Sequence, residues 1–447
     1  MQVTVTRRRA LQSIVAGNVL LPQWFRSQLS DVAAAQLPAS PNDRPGILLV
    51  GCGGMGTADA TLAKSFGNIV AVCDVDQKRV GEKADKLGAE GKYADFRKAM
   101  DHKGVDVVVN ATPDHWHTLV NLHAMRAGKD VYSEKPLTLT IEEGRVLVQI
   151  ARQTKRILQT GSQQRSNFPQ FRLACELVRN GRIGKLEHII TQLPSGPIDG
   201  PFQPQAVPPE LDWDFWQGQT PPVDYMPQRC HTFFRFFHEY SGGTLTDWGA
   251  HHNDIAQWGN DTERSGPVTV EGKILAEPIP GGYTTFGKYE VQYTYANGVR
   301  LTCKSVVREN FYGAPTGDKA RTDDERNGVK FIGKDGWIFV NRDKIVASDP
   351  DLLTMELPVS ATRLPDSAGP KGNQHMANFF DCVRTRQAAI CEPEIGHRSV
   401  SVCHLGVIAL RTGRKLSWNP QRERFENDPE ANSYLSREMR RPWQLEA

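Results

Sequence analysis

A short apolar run, Ile47-Leu48-Leu49-Val50, passes straight into Gly51-Cys52-Gly53-Gly54-Met55-Gly56, and this junction limits the fold more than any other feature of the chain. Four consecutive aliphatic residues suit a strand buried on both faces. The glycines stand at GxGxxG spacing. Gly51 permits a tight turn, Gly53 lets the backbone approach a pyrophosphate, and Gly56 lets helix and strand pack closely. Residues 57–66 can then form a helix, and the backbone around Gly54 and Met55 presents its N-terminus to an anion. A second apolar strand, 69–73, ends in Asp74, 18 residues beyond Gly56. A carboxylate there accepts hydrogen bonds from a ribose 2′-hydroxyl and repels a 2′-phosphate, which predicts NAD over NADP. Arg79 lies close enough to soften that preference.

The pattern continues. Residues 105–109 read as a strand leading into Asn110-Ala111-Thr112-Pro113-Asp114-His115-Trp116-His117, followed by a helix over 118–127 that Gly128 closes. Residues 130–133 form the next strand, which ends in Glu134-Lys135-Pro136, and a further helix and strand finish at Gly161. This alternation predicts a doubly wound parallel sheet with its ligands outside the carboxyl ends of the strands. Further on, 268–274, 288–295 and 299–307 read as strands, with Asn297-Gly298 as a hairpin turn. Residues 331–332 and 337–340 flank Gly333 to Gly336 in the same way. Met376, Phe379, Phe380 and Val383 recur at helical spacing, as core or interface. Residues 315–327 are charged and read as a loop. From residue 46 onward the 447-residue chain thus divides into an α/β nucleotide domain over 46–162 and a second α/β unit over 163–447.

Composition sets limits on function. The net charge is only +3, and no basic stripe carries interleaved aromatics, which argues against a nucleic-acid partner. No run of about 18 apolar residues is present, so no membrane-spanning helix is expected. The eight cysteines (52, 73, 175, 230, 303, 382, 391 and 403) include no CxxC pair and no metal-ligand spacing. They read as reduced and structural, and no metal is expected. Residues 1–36 read as an address. Thr6-Arg7-Arg8-Arg9-Ala10-Leu11-Gln12 resembles a twin-arginine export signal, and Ala33-Ala34-Ala35 offers small residues for cleavage. A plain basic N-terminus on a cytoplasmic protein is the alternative. Residues 37–45, rich in proline and small polar residues, read as a linker. Export would cut the protein off from an exchangeable NAD(H) pool, so a cofactor would have to stay bound and be regenerated in place.

The second half carries one chemical constellation. Asp247, His251 and Asp254 stand at i, i+4 and i+7, and on a single helix they project from one face. His251 is the candidate general base, because an unperturbed imidazole titrates near pH ~6.5. Asp247 is expected to hold that imidazole and raise its basicity. His251 and His252 point apart on a helix and do not chelate together. Residues 213–216 and 225–237 form an aromatic-rich stretch containing His231 and Arg235. It is either a carbohydrate pocket, with aromatic faces on sugar C–H surfaces, or a packed loop cluster. Arg235 is its candidate substrate ligand.

Together, Gly51-x-Gly53-x-x-Gly56, Asp74, Ala111-Thr112-Pro113 with His117, Glu134-Lys135-Pro136 and Asp247-x-x-x-His251 resemble the glucose–fructose oxidoreductase / inositol dehydrogenase / rhizopine catabolism (Gfo/Idh/MocA) family. The resemblance runs from about Gly46 to the C-terminus, and the tail from Glu394 to Trp443 resembles a bacterial subgroup often bearing export signals. It implies a Rossmann domain followed by an α/β domain with an open, mostly antiparallel sheet. The site would lie between them, and the open sheet would build homodimers or homotetramers. The resemblance also implies that Thr112, Pro113, His117, Glu134, Lys135, Pro136 and Gln163 border the cofactor. Lys135 would reach both the nicotinamide ribose and the substrate hydroxyl, Pro136 would follow a cis peptide, and Arg165 would lie near the substrate. Lys135, Asp247 and His251 are then the candidate catalytic set, with Lys135 stabilising a developing alkoxide. The same three residues, with Arg165 and Arg235, are the candidate substrate ligands.

The activity so implied is hydride transfer between a secondary hydroxyl of a sugar, inositol or glycoside and a tightly held NAD. A glycoside hydrolase or lyase using transient oxidation is one alternative. Relatives of that kind typically lack the lysine of Glu-Lys-Pro and carry Tyr-x-Thr-His, where this chain has Asp247-Trp248-Gly249-Ala250-His251. A non-catalytic dinucleotide and sugar sensor is the other, and the presence of both Lys135 and His251 argues against it.

Overall fold

The computed structural model describes residues 44–307, 326–354 and 356–445. The export address, most of the linker and most of the charged 315–327 loop lie outside the described residues. Strand β1 (Gly46–Val50) is buried along its whole length, because alternate side chains go to opposite faces and both faces are covered. Ile47 and Leu49 pack on one side with Val72, Val109 and Phe379. Leu48 and Val50 pack on the other with Val108, Trp116 and Val131. Around β1 run β2 (Asn68–Cys73), β3 (Gly91–Tyr93), β4 (Val107–Asn110), β5 (Asp130–Ser133) and β6 (Leu158–Thr160). All pair in parallel, in the order β3-β2-β1-β4-β5-β6. The winding reverses between β1 and β4, and that crevice is where such sheets take ligands.

The apolar spacing around residues 374–385 yields the helix Gln374–Thr385. Its Met376, Phe379 and Phe380 complete the nucleotide-domain core, with Phe380 stacked on Phe66 at 5.2 Å. The first sheet therefore borrows a helix from far down the chain.

The second sheet contains β7 (Leu186–Pro194), β8 (Pro267–Ala276), β9 (Lys288–Tyr295), β10 (Arg300–Val307), β11 (Gly328–Gly333), β12 (Gly336–Val340), β13 (Ile345–Ala347), β14 (Leu416–Asn419) and β15 (Arg424–Phe425). Their order is β13-β12-β11-β7-β10-β9-β8-β14-β15, and only the β7–β10 pairing is parallel among the described residues. Strand β9 shows the cause of the layering. Tyr289, Val291, Tyr293 and Tyr295 point inward and are buried, whereas Lys288 and Gln292 are exposed. The inner face packs on helices Gly249–Gly259 and Pro393–Thr412 through Ile255, Trp258, Leu405 and Leu410. Asn297-Gly298 makes the expected turn, with Gly298 at φ +85°. The eight cysteines are buried and free. No helix among the described residues is long and apolar enough to cross a membrane.

Between β7 and β8 the chain returns to the nucleotide domain. Asp212 N donates to Val75 O (3.1 Å) and Gln77 N donates to Glu210 O (2.9 Å). Trp213, Tyr225, Phe236, Phe237 and Tyr240 form an aromatic core of their own there, with Trp216 at its edge toward the cleft. Most of the aromatic-rich stretch is thus a packed cluster, while Phe215, His231, Thr232, Phe234 and Arg235 line the cleft.

Candidate active site

The two sheets enclose a cleft of about 510 Å³. Its outer end is the glycine turn at the end of β1. Gly51 sits at φ +92°, and a Cβ there would lie 2.5 Å from the Ala111 backbone, so only glycine fits. Gly54 is the opposite case: a Cβ on it would meet nothing within 4 Å. The helix Gly54–Ala63 therefore begins beside open space, and its N-cap Gly53 supplies no side-chain hydrogen bond. Its first N–H groups are left for a ligand, which suits a pyrophosphate. Asp74 stands beside them, its carboxylate accepting from Cys52 N (2.7 Å) and Asp76 N (2.9 Å). Gly53, Met55, Gly56 and Asp74 all line the cleft, as does Arg79.

The walls come from the ends of β4 and β5. Thr112 is fixed through its N and Oγ1 to Asn110 Oδ1 (3.2 and 2.7 Å). The ring nitrogens of His117 meet the carbonyls of Pro136 and Thr112 at 2.7 and 2.8 Å. His117 lines the cleft with its ring held between the Glu134-Lys135-Pro136 turn and the Thr112-Pro113 loop, and as a neutral ring it donates to one of these two carbonyls. Burial pushes its pKa down to about 4. The Lys135–Pro136 peptide is cis. Gln163 Nε2 donates to Glu134 Oε1 (2.7 Å) and reaches Tyr132 Oη (3.2 Å). Burial pushes the Glu134 carboxyl up to about 7.

The inner end joins both halves of the chain. Lys135 Nζ contacts Asp247 Oδ1 and lies 3.4 Å from the Asp247 carbonyl. Arg235 Nε approaches the same carboxylate at 3.5 Å. His251 faces this cleft too. It is buried, and its Nδ1 has no hydrogen-bond partner among the described residues. Burial and then the charges of Lys135 and Arg342 hold its pKa well below the usual histidine value.

Three expectations need correction. Asp247, His251 and Asp254 do not share one helix: Thr244–Asp247 and Gly249–Gly259 are separate elements that meet at Trp248. Asp247 does not carry the imidazole, because its carboxylate is held by Lys135 and Arg235, full cations that outcompete a neutral ring. His251 is correspondingly a weaker base than an unperturbed imidazole. Arg165, expected at the substrate, is sealed at 1% exposure, bidentate to Asp254 (2.7 and 2.8 Å), paired with Glu263 (2.6 Å) and stacked on Trp258. It locks the first turn of the second unit to the Gly249–Gly259 helix.

Trp248, Asp114 and Arg342 also line the cleft, and no sequence motif marks them for that role. Asp114 is buried, which pushes it up to about 6, and accepts from Ser241 Oγ. Arg342 arrives from the turn between β12 and β13.

Family models match this arrangement over most of the chain. An oxidoreductase-family NAD-binding Rossmann fold covers residues 46–162, and the oxidoreductase-family C-terminal alpha/beta domain covers 199–317 and 344–445. The chain belongs to the Gfo/Idh/MocA oxidoreductase family. Among curated members, myo-inositol 2-dehydrogenase of Thermotoga maritima is 26% identical over 235 residues, 51% of this chain and 58% of that protein. The NAD(+)-dependent scyllo-inositol 2-dehydrogenase of Bacillus subtilis is 26% identical over 48% of this chain and 52% of that protein. The chain thus spans little more than half the length of these Gfo/Idh/MocA relatives. Among solved structures, aldose-aldose oxidoreductase from Caulobacter crescentus superposes with a TM-score of 0.61 at 18% identity, covering 84% of this chain and 99% of that one. Levoglucosan dehydrogenase, in complex with NADH and levoglucosan, gives 0.60 at 17% identity over 84% and 99%. These likenesses establish the shared family fold.

Proposed function

We propose that the protein is an NAD-dependent dehydrogenase that oxidises a secondary hydroxyl of a sugar or polyol. One observation carries this: Lys135 from the nucleotide domain and His251 from the second unit line the same cleft, beside a cradle built for a dinucleotide. The residues present fit that cofactor, since the cradle at Gly53-Gly54 is open and Asp74 is held where a ribose would be read. Bound NAD would supply the two-electron acceptor: the substrate carbon gives up a hydride and its hydroxyl a proton, so CH–OH becomes C=O.

The chain's own residues do the rest. The Lys135 ammonium polarises the substrate oxygen and stabilises the alkoxide character that develops on it. Asp247 fixes the Lys135 side chain in the cleft. His251 is neutral at pH 7, because burial and two nearby cations oppose its protonation, and so is able to take the hydroxyl proton. Asp74 supports NAD over NADP by repelling a 2′-phosphate.

Two wider proposals accompany this. Export is supported by the Thr6 to Gln12 stretch, by the small residues at Ala33-Ala34-Ala35 and by the resemblance of the tail to an often exported subgroup. Self-association as a dimer or tetramer is supported by the family resemblance, and the outward face of the second sheet at β9 is left uncovered for it.

The test is to purify the protein, release and identify any bound nucleotide, and screen sugars, polyols and aryl glycosides at the absorbance band of reduced nicotinamide. Lasting NADH formation supports the proposal. Glycoside cleavage without net NADH would replace it with a redox-neutral hydrolase, and nucleotide binding without turnover would replace it with a sensor.

A further inference from the structure

The inner end of the cleft brings together three cations, Lys135, Arg235 and Arg342, and three carboxylates, Asp114, Glu134 and Asp247, and they are not evenly paired. Asp247 is matched by Lys135 and approached by Arg235. Glu134, raised toward neutrality, is engaged by Gln163. That leaves Arg342. Its guanidinium stacks on Trp248 (4.9 Å) and Phe168 (5.3 Å). The Gln164 amide, in the orientation that satisfies both neighbours, accepts from Arg342 Nε at 3.3 Å and donates to the His251 carbonyl at 3.2 Å. No carboxylate among the described residues lies within 4 Å of the Arg342 guanidinium.

The backbone that presents Arg342 is fixed. Gln170 Nε2 donates to the carbonyls of Asn341 (3.1 Å) and Arg342 (2.8 Å). Asn341 Oδ1 accepts from Asp343 N and Lys344 N, both at 2.9 Å, which shapes the turn. A guanidinium largely removed from water with no carboxylate in contact is costly, and here only the more distant charges of Glu134 and Asp247 offset its burial. The two rings pack against the guanidinium and Gln164 takes its Nε, which leaves the terminal N–H groups of the fork for a ligand. A planar fork matches a carboxylate, which it binds in bidentate fashion.

We propose that the substrate is an acidic sugar or polyol, such as a hexuronate or aldonate, whose carboxylate pairs with Arg342 while Lys135 and His251 hold the hydroxyl to be oxidised. The choice of reacting group rests on the dehydrogenase proposal above; the carboxylate subsite rests on Arg342. Arg342 is then a specificity-determining residue placed by a hairpin at the far edge of the second sheet.

The test uses the full chain loaded with NAD. D-glucuronate, D-galacturonate and D-gluconate are compared with D-glucose, D-galactose, myo-inositol and glucose 6-phosphate, by thermal shift and by NADH formation. The expected result is that carboxylates stabilise the protein more than their neutral counterparts and are oxidised with at least tenfold higher kcat/KM. In Arg342→Gln the ratio of kcat/KM for glucuronate over glucose should fall at least tenfold, mainly through KM, and Arg342→Lys should recover part of it. Neutral sugars or glucose 6-phosphate outperforming the carboxylates would overturn the proposal, as would an unchanged ratio in a folded Arg342→Gln. Should glucuronate stabilise the wild type but not Arg342→Gln, with no NADH formed from any compound, the carboxylate subsite stands and the dehydrogenase proposal fails. Rapid oxidation of neutral sugars alone would do the reverse.

Discussion

Replacing Lys135 with methionine removes the one ammonium that faces both Asp247 and the cleft. Lys135 and Asp247 are 13% and 8% exposed, so the change leaves a nearly buried carboxylate without its main partner. Breaking such a pair typically costs about 3–5 kcal/mol. Here Arg235 Nε lies 3.5 Å from the same oxygen, a gross attraction of about 5 kcal/mol at an effective dielectric constant of about 20. Arg235 therefore compensates, and the fold should survive with a melting temperature lowered by only a few degrees. Catalysis has no such substitute, since Arg235 is then held by the Asp247 carboxylate it must balance. Loss of a donor to a developing oxyanion costs about 10²–10³ in kcat, roughly 3–4 kcal/mol. The glycine turn and Asp74 are untouched, so nucleotide content after denaturation should match wild type. The assay is initial-rate NADH formation on the best substrate, alongside nucleotide content and thermal melting. A kcat within about threefold of wild type in the folded, nucleotide-loaded variant would remove Lys135 from the mechanism.

Asp74→Ala should relax discrimination against NADP by about tenfold or more in the ratio of kcat/KM values, because the charge that repels a 2′-phosphate is gone; an unchanged ratio would show that the ribose is read elsewhere. Arg165→Met leaves Asp254 and Glu263 uncompensated and should cost about 3–5 kcal/mol of stability, seen in denaturant unfolding, with substrate KM unaltered; a raised KM at wild-type stability would put Arg165 at the substrate after all. Acid should destabilise the protein. Burial pushes His115, His238, His252 and His404 down to about 3 and His117 and His375 to about 4. The unfolded chain thus binds these protons first, and the stability present above about pH 6.5 is lost as pH falls, by about 1.2 kcal/mol each between pH 7 and 5.5, or roughly 7 kcal/mol for the six. Glu134 and Asp114, raised to about 7 and 6, act in the opposite sense and return about 2 kcal/mol over that interval. Buried Asp59, also raised, returns some more. A net loss of a few kcal/mol should remain in urea unfolding, and a flat profile from pH 7 to 5.5 would contradict it.

The chain by itself determined the nucleotide cradle. Gly51 must take a positive φ against the Ala111 backbone, Gly54 leaves open space, and Asp74 follows its strand at a fixed offset. These are constraints of a few neighbouring residues on their own backbone, so they are visible in a linear pattern. Strands β1 and β9 were legible for the same reason: β1 is a continuous apolar run buried on both faces, and burial alternates along β9.

The partners of buried charges were decided only in three dimensions. Asp247 sits four residues from His251, yet its carboxylate goes to Lys135, 112 residues away in sequence. Arg165, two residues past Gln163, turns into a buried ion-pair network while Gln163 faces the cleft. Arg342 has no motif around it and reaches the site because β12 and β13 end there. A desolvated charge takes whichever opposite charge or aromatic face the packing places beside it. That choice depends on how two sheets and their helices close on each other, and local spacing along the chain carries no record of it.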